Sequence, residues 1–286
     1  MQQITSQWLD DYPTGTFLWI IVNQIKFDQD NGGISYAERE GAEVDEANVR
    51  EALKHFEIDL RLWNDLTQKE LLASLRNLYE ELEAEPNKFA GLVFLCMSHG
   101  EQIKEKDFLV TKDNKYLACE KIVDLYHNCY CTGLKNRPKF YLFNCCRGDV
   151  PNVEVQKLNS TSAIVFDEDI IKFDVPYMLE SNDVASYDDS RVVGFKKGDY
   201  VIVHSTIKGY VSMRHKQNGS IFIYELVQQL SKLRTKQERN FEDIVRQTCI
   251  ATSKHEISGV RASQLPEMTT TLRAPCRLVL KGNQWG

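Results

Sequence analysis

The chain has 286 residues, 42% hydrophobic and 27% charged, with a net charge of −6, a balance that suits one large globular domain or two small ones with a mildly acidic surface. No stripe of Lys and Arg interleaves with aromatics, so no nucleic-acid partner is expected. The longest apolar runs, Phe17–Val22 and Gly91–Met97, are far shorter than the roughly 20 residues that cross a bilayer. The first residues lack the basic and apolar regions of a secretory leader. No membrane association is therefore expected, and a cytoplasmic location is, where the eight cysteines stay reduced.

Taken in chain order, "TFLWIIVN" (16–23) reads as a buried strand and "VDEANVREALKHF" (44–56) as a helix with Val44, Val49, Ala52, Leu53 and Phe56 on one face. In "EIDLRLW" (57–63), Ile58, Leu60 and Leu62 alternate with polar residues, as in a half-exposed strand. A second helix starts at "LTQKEL", where Thr67 and Glu70 form a capping box ahead of a leucine stripe. "GLVFLCM" (91–97) gives a third strand, "CEKIVDLYHNC" (119–129) a helix and "KFYLFN" (139–144) a fourth strand. Residues 149 to about 196 break this rhythm with an acidic stretch that has no sustained period, longer than loops inside compact domains normally run. Then "DYVIVHST" (199–206) resumes as a strand, 220–233 and 240–251 are helical, and "CRLVL" (276–280) is a last strand. The β-α-β-α order predicts an α/β fold: a mainly parallel sheet covered by helices on both faces, with its site beyond the carboxyl ends of the strands.

Two strand ends carry chemistry. The third strand runs into Ser98, His99 and Gly100, and the fourth into Cys145, Cys146, Arg147 and Gly148. Neighbouring parallel strands would bring imidazole and thiol together, and a Cys–His pair suffices for acyl transfer. A glycine beside the histidine lets the backbone turn and aim an N–H at a developing oxyanion. Buried strand-end cysteines also serve as small core hydrophobes. Strand alternation sends Cys145 and Cys146 to opposite faces, so at most one is a nucleophile. His127, Cys129 and Cys131 lack the second ligand pair of a structural zinc site. Neither a metal nor a cofactor is expected.

These residues match a family. "MSHGE" (97–101) and "NCCRG" (144–148) resemble the His-Gly and Gln-Ala-Cys-Arg-Gly signatures of caspases, with the His about 50 residues upstream of the Cys. "REGAEVDEANVREAL" (39–53), "LWNDLT" (62–67), "STIKGYVSMRHKQNGSIFI" (205–223) and "QLPEMTTTLRAPCRLVL" (264–280) resemble caspase segments in the expected order. The resemblance implies a caspase-like three-layer α/β/α sandwich around a six-stranded, mostly parallel sheet. It divides the chain into a short N-terminal segment (1–14), a large-subunit-like region (15–165), an acidic intersubunit linker (166–196) and a small-subunit-like region (197–286). Cys146 takes the nucleophile position and His99 its partner's, with the N–H groups of Gly100 and Cys146 as oxyanion donors. Substrate binding falls to Arg39, Asn144, Ser212, Met213 and Arg214, the two arginines receiving the aspartate after which the family cuts. A guanidinium fork suits a carboxylate because it binds bidentately through charge-assisted hydrogen bonds. Activating cleavage is expected at Asp183 or Asp189. The expected partners are protein substrates cut after aspartate, a homodimer or heterodimer partner paired through 276–280, and inhibitor-of-apoptosis proteins.

The departures point the other way. Asn144 stands at the S1 glutamine position, about 1.5 Å shorter by one bond, and a misplacement of that order costs on the order of 100-fold in rate. Met213 replaces a tryptophan that walls S2, Val211 an aromatic neighbour, and Ile221 another tryptophan. Retention of Cys146, His99, Arg39 and Arg214 favours an aspartate-directed cysteine endopeptidase acting in apoptosis or a related pathway. The lost aromatic lining favours a decoy that binds and regulates an active caspase.

Overall fold

A computed structural model describes residues 11–29, 35–148, 197–233, 240–257, 260–261 and 264–282. The linker with Asp183 and Asp189 lies outside the described residues, as do residues 1–10. Among those described, no helix is long and apolar enough to cross a membrane.

Five parallel strands form the centre: β1 (Phe17–Asn23), β2 (Ile58–Asn64), β3 (Gly91–Met97) and, numbered in chain order, β7 (Lys139–Asn144) and β8 (Tyr200–His204). β13 (Glu267–Thr270) closes the sheet antiparallel to β8, giving the order β13-β8-β7-β3-β1-β2. β1, β3 and β7 are buried along their whole length, as continuous apolar strands covered on both faces must be.

Alternation sends Trp19, Ile21, Val93 and Leu95 to one core and Leu18, Ile20, Leu92 and Phe94 to the other. Helices α1 (Ala42–Leu53), α4 (Ile221–Leu233) and α5 (Phe241–Lys254) cover the first core. The second is covered by α2 (Gln68–Ala84) and α3 (Cys119–Leu125). The result is the expected three-layer α/β/α sandwich around a six-stranded sheet. Each large aliphatic or aromatic side chain fully buried in these layers contributes about 1.5–3 kcal/mol. The capping box at α2 forms: Glu70 N donates to Thr67 Oγ1, and Thr67 N donates to the Glu70 carboxylate. At the edge away from the cysteines, buried Asp199 accepts hydrogen bonds from Tyr12, Asn128 and Arg273, tying residues near both ends of the described chain to the sheet.

Several expectations need correction. "CRLVL" (276–280) forms no ladder among the described residues. Arg277 and Leu280 make single bridges to Asn240 and Phe56, two different elements. Cys276 N is held by the Asn240 side chain, while Glu57 N donates to Val279 O. The segment is extended because Leu278 and Leu280 pack on the core, and a short apolar run cannot distinguish that from sheet pairing. The sixth strand, Glu267–Thr270, is polar and exposed on most of its length, so it left no hydrophobic signal.

The third helix stops at Leu125 rather than continuing to Cys129. Val44 is only half-buried, and Asp45 takes its place on the inward stripe of α1. A small antiparallel sheet follows β3 directly: β4 (Gly100–Ile103), β5 (Lys106–Val110) and β6 (Tyr116–Ala118). Two short hairpins, β9 (Arg214–His215) with β10 (Gly219–Ser220) and β11 (Glu256–Ile257) with β12 (Val260–Arg261), and a 3-10 turn at Thr132–Leu134 complete the described elements.

Candidate active site

The register decides what meets at the sheet edge. Asn23 of β1, Met97 of β3 and Asn144 of β7 lie side by side, and Phe143 pairs with His204 of β8. With Asn64 of β2 paired to Asn23, all five parallel strands open their carboxyl ends on one edge. His99 and Cys146 each stand two residues beyond the paired Met97 and Asn144. Around them lies a cleft of about 240 Å³ lined by Arg39, Ser98, His99, Asn144, Cys146, Ser212, Arg214 and Ser220. The structure thus brings the predicted cysteine, histidine, arginines, asparagine and serine into one cleft and adds Ser98 and Ser220. Met213 lies in the segment between Ser212 and Arg214, where its N–H is held by Gln264.

The two cysteines are unequal, as alternation requires. Cys145 is 4% exposed and belongs to the α2–α3 core, whereas Cys146 opens to the cleft. Burial raises the Cys146 thiol pKa above its ordinary value, opposed by the Ser212 N–H, which donates to Sγ at 3.4 Å, and by Arg39. Burial lowers the pKa of His99, and the charges of Arg39 and Arg214 push the same way. Both shifts favour a neutral thiol and a neutral imidazole in the resting site.

His99 Nε2 donates to the Ala37 carbonyl at 2.8 Å, because a carbonyl can only accept. That contact leaves Nδ1 as the basic nitrogen. Phe27 and Tyr36 pack against the ring at centroid distances of 5.0 and 5.2 Å.

Gly100 is required by space. An added Cβ would lie 2.5 Å from Cys146 O and 2.7 Å from Cys145 Cβ. Val110 N donates to the His99 carbonyl, so the Gly100 N–H of the same trans peptide points the opposite way, away from β5.

Arg39 is 1% exposed at the end of β1; its Nη1 donates to Asn23 Oδ1 and to the Gln24 carbonyl. Its Nε is buried without a partner among the described residues. Burial, then the charge of Arg214, lowers its pKa to about 10. Opposite it, Arg214 Nε donates to Glu40 O at 3.0 Å. Two cations lining one small cleft can receive an anion. Asn144 Oδ1 accepts from Ser212 Oγ at 3.0 Å.

Residues distant in sequence hold this arrangement. Arg147 forms a bidentate pair with Asp107 (3.0 and 2.7 Å) and a bond of 2.6 Å to Glu267. Its backbone exchanges hydrogen bonds with Gly209 and Tyr210, seating the cysteine turn on the loop after β8. Gln264, 1% exposed, accepts from Met213 N and donates to Ser205 O. Arg147 and Gln264 both stood in quoted segments without a role. Among the described residues no group of three or more His, Cys, Asp or Glu could hold a metal.

A family model described as "Caspase domain" matches residues 18–276. Caspase-3 of Bos taurus is 27% identical over 222 residues, 78% of this chain and 68% of that protein. Caspase-3 of Mus musculus is 25% identical, covering 79% and 69%. Among solved structures, caspase-1 from Spodoptera frugiperda superposes with a TM-score of 0.65 at 20% identity, over 94% of this chain and 91% of that one. That last likeness establishes the fold alone.

Proposed function

The chain belongs to the caspase family, and we propose that it is an aspartate-directed cysteine endopeptidase of an apoptotic or related proteolytic pathway, with Cys146 as nucleophile. The observation that carries this reading is the single cleft lined by Cys146, His99, Arg39 and Arg214. A P1 carboxylate between the guanidiniums would set the scissile carbonyl over Sγ. His99 Nδ1 takes the thiol proton as sulfur attacks the carbonyl carbon, then gives it to the departing amine; water releases the acyl group from the thioester. The N–H groups of Gly100 and Cys146 stabilise the intermediate oxyanion. Asn144 and Ser212 complete the carboxylate's surroundings, with Met213 beside the next subsite.

Labelling with an aspartyl electrophilic probe tests this. Label lost in Cys146→Ala and kept in Cys145→Ala supports it, and an unlabelled wild type refutes it. One observation favours the decoy reading: burial keeps the Cys146 thiol and the His99 imidazole neutral in the resting site, so no preformed thiolate awaits a substrate. In that reading the chain pairs with an active caspase and regulates it without turnover.

Activation is proposed to proceed by cleavage of the 166–196 linker at Asp183 or Asp189, separating large- and small-subunit-like regions. Mass spectrometry of activated protein with no cut between residues 167 and 190 would sink that. The dimer surface is moved from 276–280 to β13, an edge strand that among the described residues pairs only with β8. Unpaired edges template pairing with a second chain, here a copy of this chain or another caspase. Inhibitor-of-apoptosis proteins remain part of the proposed partner set.

A further inference from the structure

A carboxylate is buried directly behind the cleft. Asp45 lies on the inward stripe of α1 with Ala42, Val49, Ala52 and Leu53, and is 1% exposed. An alanine or leucine would fill that stripe without the cost of desolvating a charge, so packing alone does not account for it.

Both of its oxygens are used on one residue. Ser220 N donates to Oδ1 and Ser220 Oγ to Oδ2, each at 2.7 Å. Ser220 is the cross-strand partner of Arg214 in the β9–β10 hairpin. A hold on Ser220 is therefore passed across one strand spacing to the arginine.

The hairpin and α1 also close on each other with no room between them. Gly219 has φ +80°, and a Cβ there would collide with Asp45 Oδ1. At the start of α1, Gly41 has φ +87°, and a Cβ would lie 2.5 Å from Lys216 O. Arg214 Nε reaches Glu40 O beside this contact. Arg39 precedes Gly41 by two residues, so residues 39–45 seat both guanidiniums.

We propose that Asp45 is a positioning residue for P1 recognition, fixing the β9–β10 hairpin through Ser220 so that Arg214 faces Arg39 across the cleft. This deepens the protease reading and rests on it.

Three measurements separate this role from general support of the fold, using Asp45→Ala and Ser220→Ala. Ser220→Ala keeps the buried charge and removes one of the two bonds, so it remains informative if Asp45→Ala folds poorly. The first measurement is kcat and KM on a tetrapeptide substrate with aspartate at P1. The second is alkylation of Cys146 by iodoacetamide, which needs no P1 pocket. The third is binding of a fluorescent peptide ending in aspartate, measured in a Cys146→Ala background.

The expected result is a KM increase of about 30-fold for Asp45→Ala and about 3-fold for Ser220→Ala, in keeping with the cost of misplacing a binding group by up to about 1 Å. Peptide binding should weaken in step, with kcat and alkylation staying within about 2-fold of wild type. KM and binding unchanged in both variants, or alkylation falling by the same factor as KM rises, would overturn the proposal. A wild type that binds the peptide without turnover and resists the electrophilic probe overturns the protease reading alone, and the binding arm still decides Asp45.

Discussion

Replacing Gly100 with alanine adds one methyl group where the histidine strand meets the cysteine turn. The new Cβ would stand 2.5 Å from Cys146 O, 2.7 Å from Cys145 Cβ and 3.0 Å from Phe108 O, whereas ordinary contact begins at 3.4 Å. Two of the three neighbours are backbone carbonyl oxygens and the third is a core side chain, so no flexible tip can swing aside. Relieving the closest contact requires the Cys146 carbonyl to retreat by about 0.9 Å, carrying the thiol and the Cys146 N–H with it. A displacement of about 1 Å at a reacting group costs on the order of 100-fold, or about 2.7 kcal/mol of barrier. Overpacking should also cost about 1–3 kcal/mol of stability. The assay is the rate of Cys146 acylation by an aspartyl-peptide probe, read beside a thermal melt by circular dichroism. Acylation at the wild-type rate would refute the reasoning, because the cysteine turn would then not depend on its seat against Gly100.

Arg147→Met is expected to leave the Asp107 carboxylate without its bidentate partner and to cost on the order of 3 kcal/mol; an unchanged melting temperature would contradict this. The pH profile of Cys146 alkylation should rise steadily from about pH 7 to about pH 9. The sign follows from a thiol raised by burial and an imidazole lowered by burial: little thiolate exists near neutrality, and more forms as the pH climbs. A plateau across that range would indicate a preformed thiolate–imidazolium pair and overturn it. Thr67→Ala removes the α2 capping box and should lower stability by about 1 kcal/mol, measured as a shift in denaturation midpoint at unchanged slope.

Much of the sheet can be read from local pattern. β1, β3 and β7 are unbroken apolar runs because they are covered on both faces, and a run of that kind depends on no distant partner for its signal. The α2 cap is four residues long and equally local. The inequality of Cys145 and Cys146 follows from strand alternation once the strand is known. Other features depend on partners far along the chain. β13 is polar because it lies at the edge, and only pairing with β8 makes Glu267–Thr270 a strand. Residues 276–280 look more strand-like, yet they bridge two different elements and join no ladder. In the cleft, Arg39 and Arg214 lie 175 positions apart in sequence and meet through the packing of α1 against the β9–β10 hairpin. Asp45 falls on the α1 stripe but as a carboxylate breaks its apolar pattern, and it, Gln264 and the ion pairs of Arg147 each act by reaching across the fold. Hydrophobic alternation records which face of an element is dry; it carries no record of which distant polar groups meet there, and at this cleft those meetings set the chemistry.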